Sequence, residues 1–226
     1  MMKKLLRYTG ITLLVAASAT LFATAAQAQS EQQQLVNAAE TTLSNFLRDS
    51  QMTWLQRNIG KAKGVLIAPE VVKAGFIFGG SGGRGVLLGR GPDGKWHGPV
   101  FYTLATASVG FQAGIAASEN ITLVMTEKGL NTLLAPSVKL GGDASVAAGP
   151  VGAGAASDVT TDFVAFARSK GVYGGLNLDG TVITANNDWN NAYYGKPVLA
   201  PDILVRGSAS NKGADKLLAE VARAGK

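Results

Sequence analysis

The residue types that carry most enzyme chemistry are scarce in this chain. Among 226 residues there is no Cys and one His, His97. Disulfides, thiolate nucleophiles, iron–sulfur clusters and Cys-based zinc sites are thereby excluded, and a His-based metal site would hang on one imidazole. A lone His beside a turn, between Trp96 and Gly98, reads as a surface or packing residue. Gly80-Ser81-Gly82-Gly83-Arg84-Gly85 spells G-x-G-x-x-G, but a dinucleotide site needs a helix next, and Val86-Leu87-Leu88 reads as a strand. The expectation there is a hairpin loop. Residues 89–95 match the start of a P-loop, yet Trp96 stands where Ser or Thr must bind magnesium, and Gly98-Pro99 forbids a helix. Asp143, Asp158, Asp162 and Asp179 read as turn or cap residues rather than paired catalytic carboxylates. No catalytic residue, metal site or cofactor is therefore expected.

The basic residues offer a different chemistry. Arg57, Lys61 and Lys63 close an N-terminal helical segment, Lys73 precedes Phe76, and Arg84 and Arg90 flank the Gly-rich run. With Trp54, Phe76 and Phe78 near in sequence, they could form a basic patch rimmed by aromatics, suited to anionic headgroups. The plainer reading is a solvated rim, with Lys61 favoured at a helix C-terminus by the dipole.

The elements that would position these residues follow from periodicity. Leu35, Val36, Ala39, Leu43, Phe46, Leu47, Trp54, Leu55 and Ile59 recur at helical spacing, which predicts one or two amphipathic helices over about 31–60, broken near Ser50. Such a stripe either packs onto the domain or lies on a membrane surface; its polar face carries few cations. Beyond Gly60 the texture turns β-rich, with short apolar runs at 65–67, 74–78, 85–88, 100–102, 108–114 and 121–125. Turns are expected at 79–83 and 91–94, and a short helix over 127–134. Strands resume at 143–148, 163–168, 171–178 and 181–184, the last two joined by an Asp179-Gly180 hairpin, with a helical turn at 188–194 and a C-terminal helix over 211–224. Glycines inside strands, such as Gly75, Gly110, Gly114, Gly174 and Gly175, let a sheet coil. The expected class is α+β: a single domain with a multi-stranded, mostly antiparallel sheet, curled or closed into a barrel, and flanking N- and C-terminal helices.

Residues 1–28 read as a cleaved secretory leader: Lys3, Lys4 and Arg7, an apolar run over 11–22, and Ala26-Gln27-Ala28 before Gln29. The domain is then 29–226, with a β-rich body over about 61–200. Loss of the leader lowers the formal charge from +6 to +3, because 18 basic residues remain against 15 acidic ones. A secreted chain without Cys suits the periplasm, with peripheral contact to a membrane, and a mildly basic charge does not indicate nucleic acid.

Residues 59–90 (IGKAKGVLIAPEVVKAGFIFGGSGGRGVLLGR), Lys95-Trp96, SVGFQAG at 108–114, LGGDASVAAGPVG at 140–152 and RSKGVYGGLNLDG at 168–180 resemble the SYLF domain family in order, and the resemblance runs from about Leu35 to Tyr194. It implies a non-enzymatic domain that binds phosphoinositide or other anionic phospholipid; eukaryotic members also bind actin, which a periplasmic chain would not meet. The family's lipid contact lies in its N-terminal amphipathic helix and basic residues. Here these correspond to 35–63, with Arg57, Lys61 and Lys63, and to Lys73 in the K-A-G-F block. The resulting expectation is anionic phospholipid binding through Arg57, Lys61, Lys63 and Lys73, with Trp54, Arg84 and Arg90 in support. The rivals are an envelope protein that docks a partner protein without lipid, and a hydrolase built around His97 and Asp residues.

Overall fold

The computed structural model describes residues 30–75, 78–109, 114–152, 160–169, 172–175 and 178–225. The expected leader, Phe76, Gly110 and Asp158 lie outside the described residues. Helix α1 (Glu31–Arg48) carries Glu31 in its first turn and Arg48 in its last, charges that complement the helix dipole. It breaks where expected: Asp49 caps a 3-10 turn (Ser50–Met52) by accepting from the Gln51 amide at 2.8 Å, before α2 (Thr53–Asn58) and a second 3-10 turn (Ile59–Lys61).

Four long strands follow, β1 (Gly64–Gly75), β2 (Phe78–Arg90), β3 (Trp96–Val109) and β4 (Gly114–Val124). After them come α3 (Glu127–Leu133), β5 (Ser137–Lys139), β6 (Val146–Ala148), β7 (Phe163–Ser169), β8 (Val172–Gly175) and β9 (Val182–Ala185). The chain ends in α4 (Asn187–Tyr194), α5 (Ala200–Leu204), a 3-10 turn (Lys212–Ala214) and α6 (Asp215–Ala224). Among the described residues one nine-stranded sheet runs β5-β9-β3-β2-β1-β4-β7-β6, with β8 also on β7; of its strand pairs, β6 with β7 is the parallel one. The path has two ends, so the α+β sheet is the open, curled form rather than a closed barrel.

Both faces of the sheet are covered near the start of β1. Val65, Ile67, Val86, Leu88, Phe101, Ile121, Leu123, Val164 and Phe166 meet Val36, Leu43 and Phe46 of α1, Leu55 of α2, and Leu217 and Val221 of α6. On the opposite face Leu66, Leu87, Val100, Tyr102, Val124 and Phe163 meet Leu130 and Leu133 of α3 and Ile203 and Leu204 of α5. Burial on both sides explains why residues 65–68 and 86–88 read as unbroken apolar runs rather than alternating ones. Val36, Ala39, Leu43 and Phe46 are at most 1% exposed, so of the two readings of the N-terminal helix, the packed one holds.

Several expectations are corrected. Residues 79–83 are not a turn: they lie within β2, paired with β1 and β3, because glycine fits an extended strand as readily as a loop. The run 74–78 is no strand of its own; β1 ends at Gly75 and β2 begins at Phe78. Likewise 108–114 divides between the end of β3 and the start of β4. Asp179-Gly180 does form a turn, with the Thr181 amide donating to Leu178 O at 2.9 Å, but joins no hairpin: β9 pairs with β3 and β5, and β8 with β7. Ile183 goes to a distant strand because it is buried there, at 1% exposed, between Leu104 and Val138. The strand expected over 143–148 shortens to β6, and α5 and β5 carry no strong local signal.

Candidate functional site

The basic residues divide into one cluster and two outliers. The cluster forms where β1 begins and β2 ends. The Arg90 amide donates to Lys63 O at 2.7 Å, and its guanidinium donates to Gly60 O at 3.1 Å and lies 4.8 Å over the Trp96 ring. This brings the end of β2 onto the 3-10 turn that carries Lys61. Lys61 is exposed and donates to Asn58 Oδ1 at 3.3 Å; Arg57 stands exposed in the last turn of α2, where the dipole favours a cation. Lys63 pairs with Glu127 at 2.9 Å. So Arg57, Lys61, Lys63 and Arg90 share one end of the sheet, as a patch requires.

Lys73 and Arg84 are elsewhere. Ten extended residues separate Lys73 from Lys63, about 33 Å at the rise of a strand. Lys73 lies at the far end of β1, opposite Ser81. Arg84 sits mid-strand opposite Glu70, its guanidinium 4.4 Å over the Trp189 ring. Trp54 is no interfacial aromatic. It is 5% exposed and packs against Phe166 with ring centroids 5.9 Å apart. The aromatic at the patch is Trp96, half-buried beneath Arg90. Phe78 pairs with Val109 at the other end of the sheet.

Three cations of this end escaped sequence reasoning. Lys95 is exposed beside Trp96 in the β2–β3 turn, where Gly91 N donates to Lys95 O at 2.8 Å. Arg48 and Arg223 line a groove of about 480 Å³ with Leu47 and Gln56. The last turn of α6 reaches this end because Gly60 and Gly225 touch: a Cβ on Gly60 would lie 2.6 Å from Gly225 O. Acids here are matched, Glu127 to Lys63, Glu220 to Arg223 at 2.7 Å, and Asp93 to His97 at 2.9 Å. The His97 hydrogen bond, then the Lys95 amide, hold the Asp93 carboxyl below its usual range. Lys95 could have been found from its place in the Gly91-Pro92-Asp93-Gly94 turn; Arg48 and Arg223 join through tertiary packing alone.

One more chemical motif can now be placed. Gly79, Gly80, Ser81, Gly82 and Gly83 also carry the G-x-S-x-G spacing. A nucleophile elbow needs a sharp strand-to-helix turn, whereas all five residues are extended in β2. Among the described residues no group of three or more His, Asp or Glu side chains is arranged to hold a metal ion.

The class these features define is an α+β domain built on an open, mostly antiparallel sheet sandwiched between helices, with cations gathered at one end. The pattern of the Ysc84 family, described as Las17-binding protein actin regulator, matches residues 105–224, more than half of the chain, so this chain belongs to the Ysc84, or SYLF, family. It is 33% identical to "Protein YSC84" of Saccharomyces cerevisiae over 165 residues, covering 70% of this chain and 35% of the relative. It is 32% identical to human "SH3 domain-containing YSC84-like protein 1" over 151 residues, covering 65% of this chain and 44% of that protein. With "LAS seventeen-binding protein 3" of yeast it shares 30% over 178 residues, 74% of this chain and 39% of the relative. The match thus spans less than half the length of these curated relatives. No solved structure matches the chain.

Proposed function

We propose that this chain is a periplasmic module that binds anionic phospholipid surfaces through the cationic end of its sheet. One observation carries the reading: Arg90 stacks on Trp96 beside the exposed Lys95 and bonds the turn that carries Lys61, with Arg57 exposed one turn earlier, while Glu127 pairs with Lys63 and Asp93 with His97. Each Lys or Arg close to an anionic surface contributes about 1 kcal/mol, and an aromatic suits the interface. The leader expected over 1–28 would deliver the domain to that compartment. The reading is one of binding rather than turnover, and the relatives' own names describe binding.

The test is co-sedimentation with vesicles of phosphatidylglycerol mixed into phosphatidylcholine. Binding rises with the anionic fraction and falls with salt, since exposed charges are screened over about 8–10 Å at physiological ionic strength. The triple variant Arg57→Gln, Lys61→Gln, Lys95→Gln binds about 100-fold more weakly, three cations at about 1 kcal/mol each. Lys73→Gln and Arg84→Gln, remote from the patch, bind as the parent. Equal binding to neutral and anionic vesicles rejects the proposal.

The family's description names a protein ligand, which favours a second reading, the docking of an envelope protein at the same end. Retention of one protein in pull-downs, lost in the triple variant and without vesicle binding, selects it.

A further inference from the structure

The one His of the chain stands at the cationic end, and its setting gives that end two charge states. His97 lies at the start of β3, opposite Gly89 of β2. Its Nε2 is 2.9 Å from Asp93 Oδ1, and the same oxygen accepts from the Lys95 amide at 3.0 Å. The ring is packed between two glycine backbones: a Cβ on Gly91 would run into it, and one on Gly207, at φ +59°, would lie 3.1 Å from its Cε1. Arg90 holds the turn that carries Asp93 and Lys95, since its guanidinium lies over Trp96 and donates to Gly94 O at 3.4 Å.

The pair fixes where each proton sits. A carboxylate only accepts, so Nε2 carries a hydrogen and the neutral ring keeps its lone pair on Nδ1. Nδ1 has no hydrogen-bond partner among the described residues, and the side chain is 24% exposed. A second proton therefore enters at Nδ1 with the bond to Asp93 intact. The turn keeps its geometry while its charge rises by one. Beside a neutral ring, Asp93 sets a full negative charge next to Lys95; beside a protonated ring, the Asp93–His97 pair is neutral. The remaining charges around the ring do not change with it. Asp93 is held below its usual range by the His97 bond and then the Lys95 amide. On the far side, the loop that lays Gly207 on the ring brings Arg206, paired with Asp202, and Lys196, which donates to Ser208 O at 2.8 Å. The Leu199 amide and then Arg206 hold the Asp202 carboxyl down as well.

We propose that His97 tunes the cationic end by pH, so that the domain holds an anionic phospholipid surface more tightly in mild acid than at neutral pH. The inference rests on the reading of that end as an anionic-surface site and adds its regulation. Imidazole exchanges its proton between pH 8 and 5, whereas ordinary Lys and Arg, and the phosphodiester of phosphatidylglycerol, keep their charge there. One added positive charge close to an anionic surface is worth about fivefold in affinity.

The test is co-sedimentation of the protein with vesicles of phosphatidylglycerol in phosphatidylcholine, at one ionic strength and at pH 7.5 and 5.5. The parent binds about fivefold more tightly at pH 5.5. His97→Gln binds alike at both pH values, and Asp93→Asn at pH 7.5 binds about as tightly as the parent does at pH 5.5, because each change raises the charge of the turn by one. Proton uptake supplies a readout that packing alone would not move. A site that binds more tightly when protonated must hold its proton more tightly when occupied. Calorimetric titration with the same vesicles at pH 6.5, in two buffers of different ionisation enthalpy, therefore shows protons taken up by the parent and none by His97→Gln; should that variant fail to fold, uptake by the parent and the Asp93→Asn affinity decide. Anionic-vesicle binding that is equal at the two pH values, a His97→Gln variant that keeps the full gain, or binding without proton uptake would each overturn this inference and leave the lipid reading standing. Binding no stronger than to pure phosphatidylcholine at both pH values overturns the two together.

Discussion

Asp162 shows how much one buried carboxylate can join. It accepts from the Thr126 hydroxyl at 2.6 Å, from the Ser145 amide at 3.0 Å and hydroxyl at 2.9 Å, and from Lys128 Nζ at 3.4 Å. Thr126 is itself the N-cap of α3, accepting from Gly129 N at 2.9 Å, so one side chain ties that cap to the strand entering β7. The Thr126 hydrogen bond, ahead of those from Ser145, holds the Asp162 carboxyl down at about 2 against an opposing effect of burial. A carboxyl with a lowered folded pKa stabilises the fold above its unfolded value near 4, and that contribution fades as pH falls toward 2. Asp162→Asn is accordingly expected to cost on the order of 1–2 kcal/mol in urea unfolding at pH 7, with the difference from the parent vanishing near pH 2. The sequence marks Asp162 as a turn or cap residue, and so it is in kind; its partners, 17 and 36 positions away, leave no local trace.

At the scale of elements, the bulge in β1 organises the middle of the sheet. Register shifts between Ile67 and Glu70, where Pro69 has no amide to give the ladder, so Ala68 and Val71 face the same side. The strand crowds its neighbour there: a Cβ on Gly83 would run into Glu70 O, whereas one on Gly82 would meet nothing nearer than Leu104 O at 3.6 Å. Gly83→Ala is expected to destabilise by about 1–3 kcal/mol and Gly82→Ala by far less, a contrast that thermal or urea unfolding of the two variants measures directly. Helix α1 offers the parallel test, since Phe46 is fully buried beneath it and Phe46→Ala should cost about 3–5 kcal/mol. Periodicity makes α1, α3 and α6 legible, because a helix is specified by its own residues. Strand partners are not: an Asp-Gly turn is a local signal, whereas the pairing of β9 with β3 reaches across some 80 positions, from Tyr102 to Ala185.

Over the whole molecule, positive charge collects at one end because three chain segments meet there, the α2 turn, the β2–β3 turn and the end of α6. Only the part written contiguously, Arg57 to Lys63, is readable in the sequence. Lys73 and Arg84 look adjacent on paper, and extended strands carry them away. If the domain meets membranes as a folded body, Trp54 stays against Phe166. In a Trp96→Phe, Trp189→Phe variant, whose remaining tryptophan is Trp54, emission should not change when anionic vesicles are added. Quenching by brominated lipid would show α1 and α2 leaving the sheet. The contact of Gly60 with Gly225 has a further consequence, for biogenesis. The apolar stripe of α1 is made first, but the strands beneath it and the helix beside it come later, α6 last of all. A chain made N-terminus first therefore carries Leu43 and Phe46 uncovered until the strands beneath them have been made, which lengthens its exposure to holdase chaperones during synthesis.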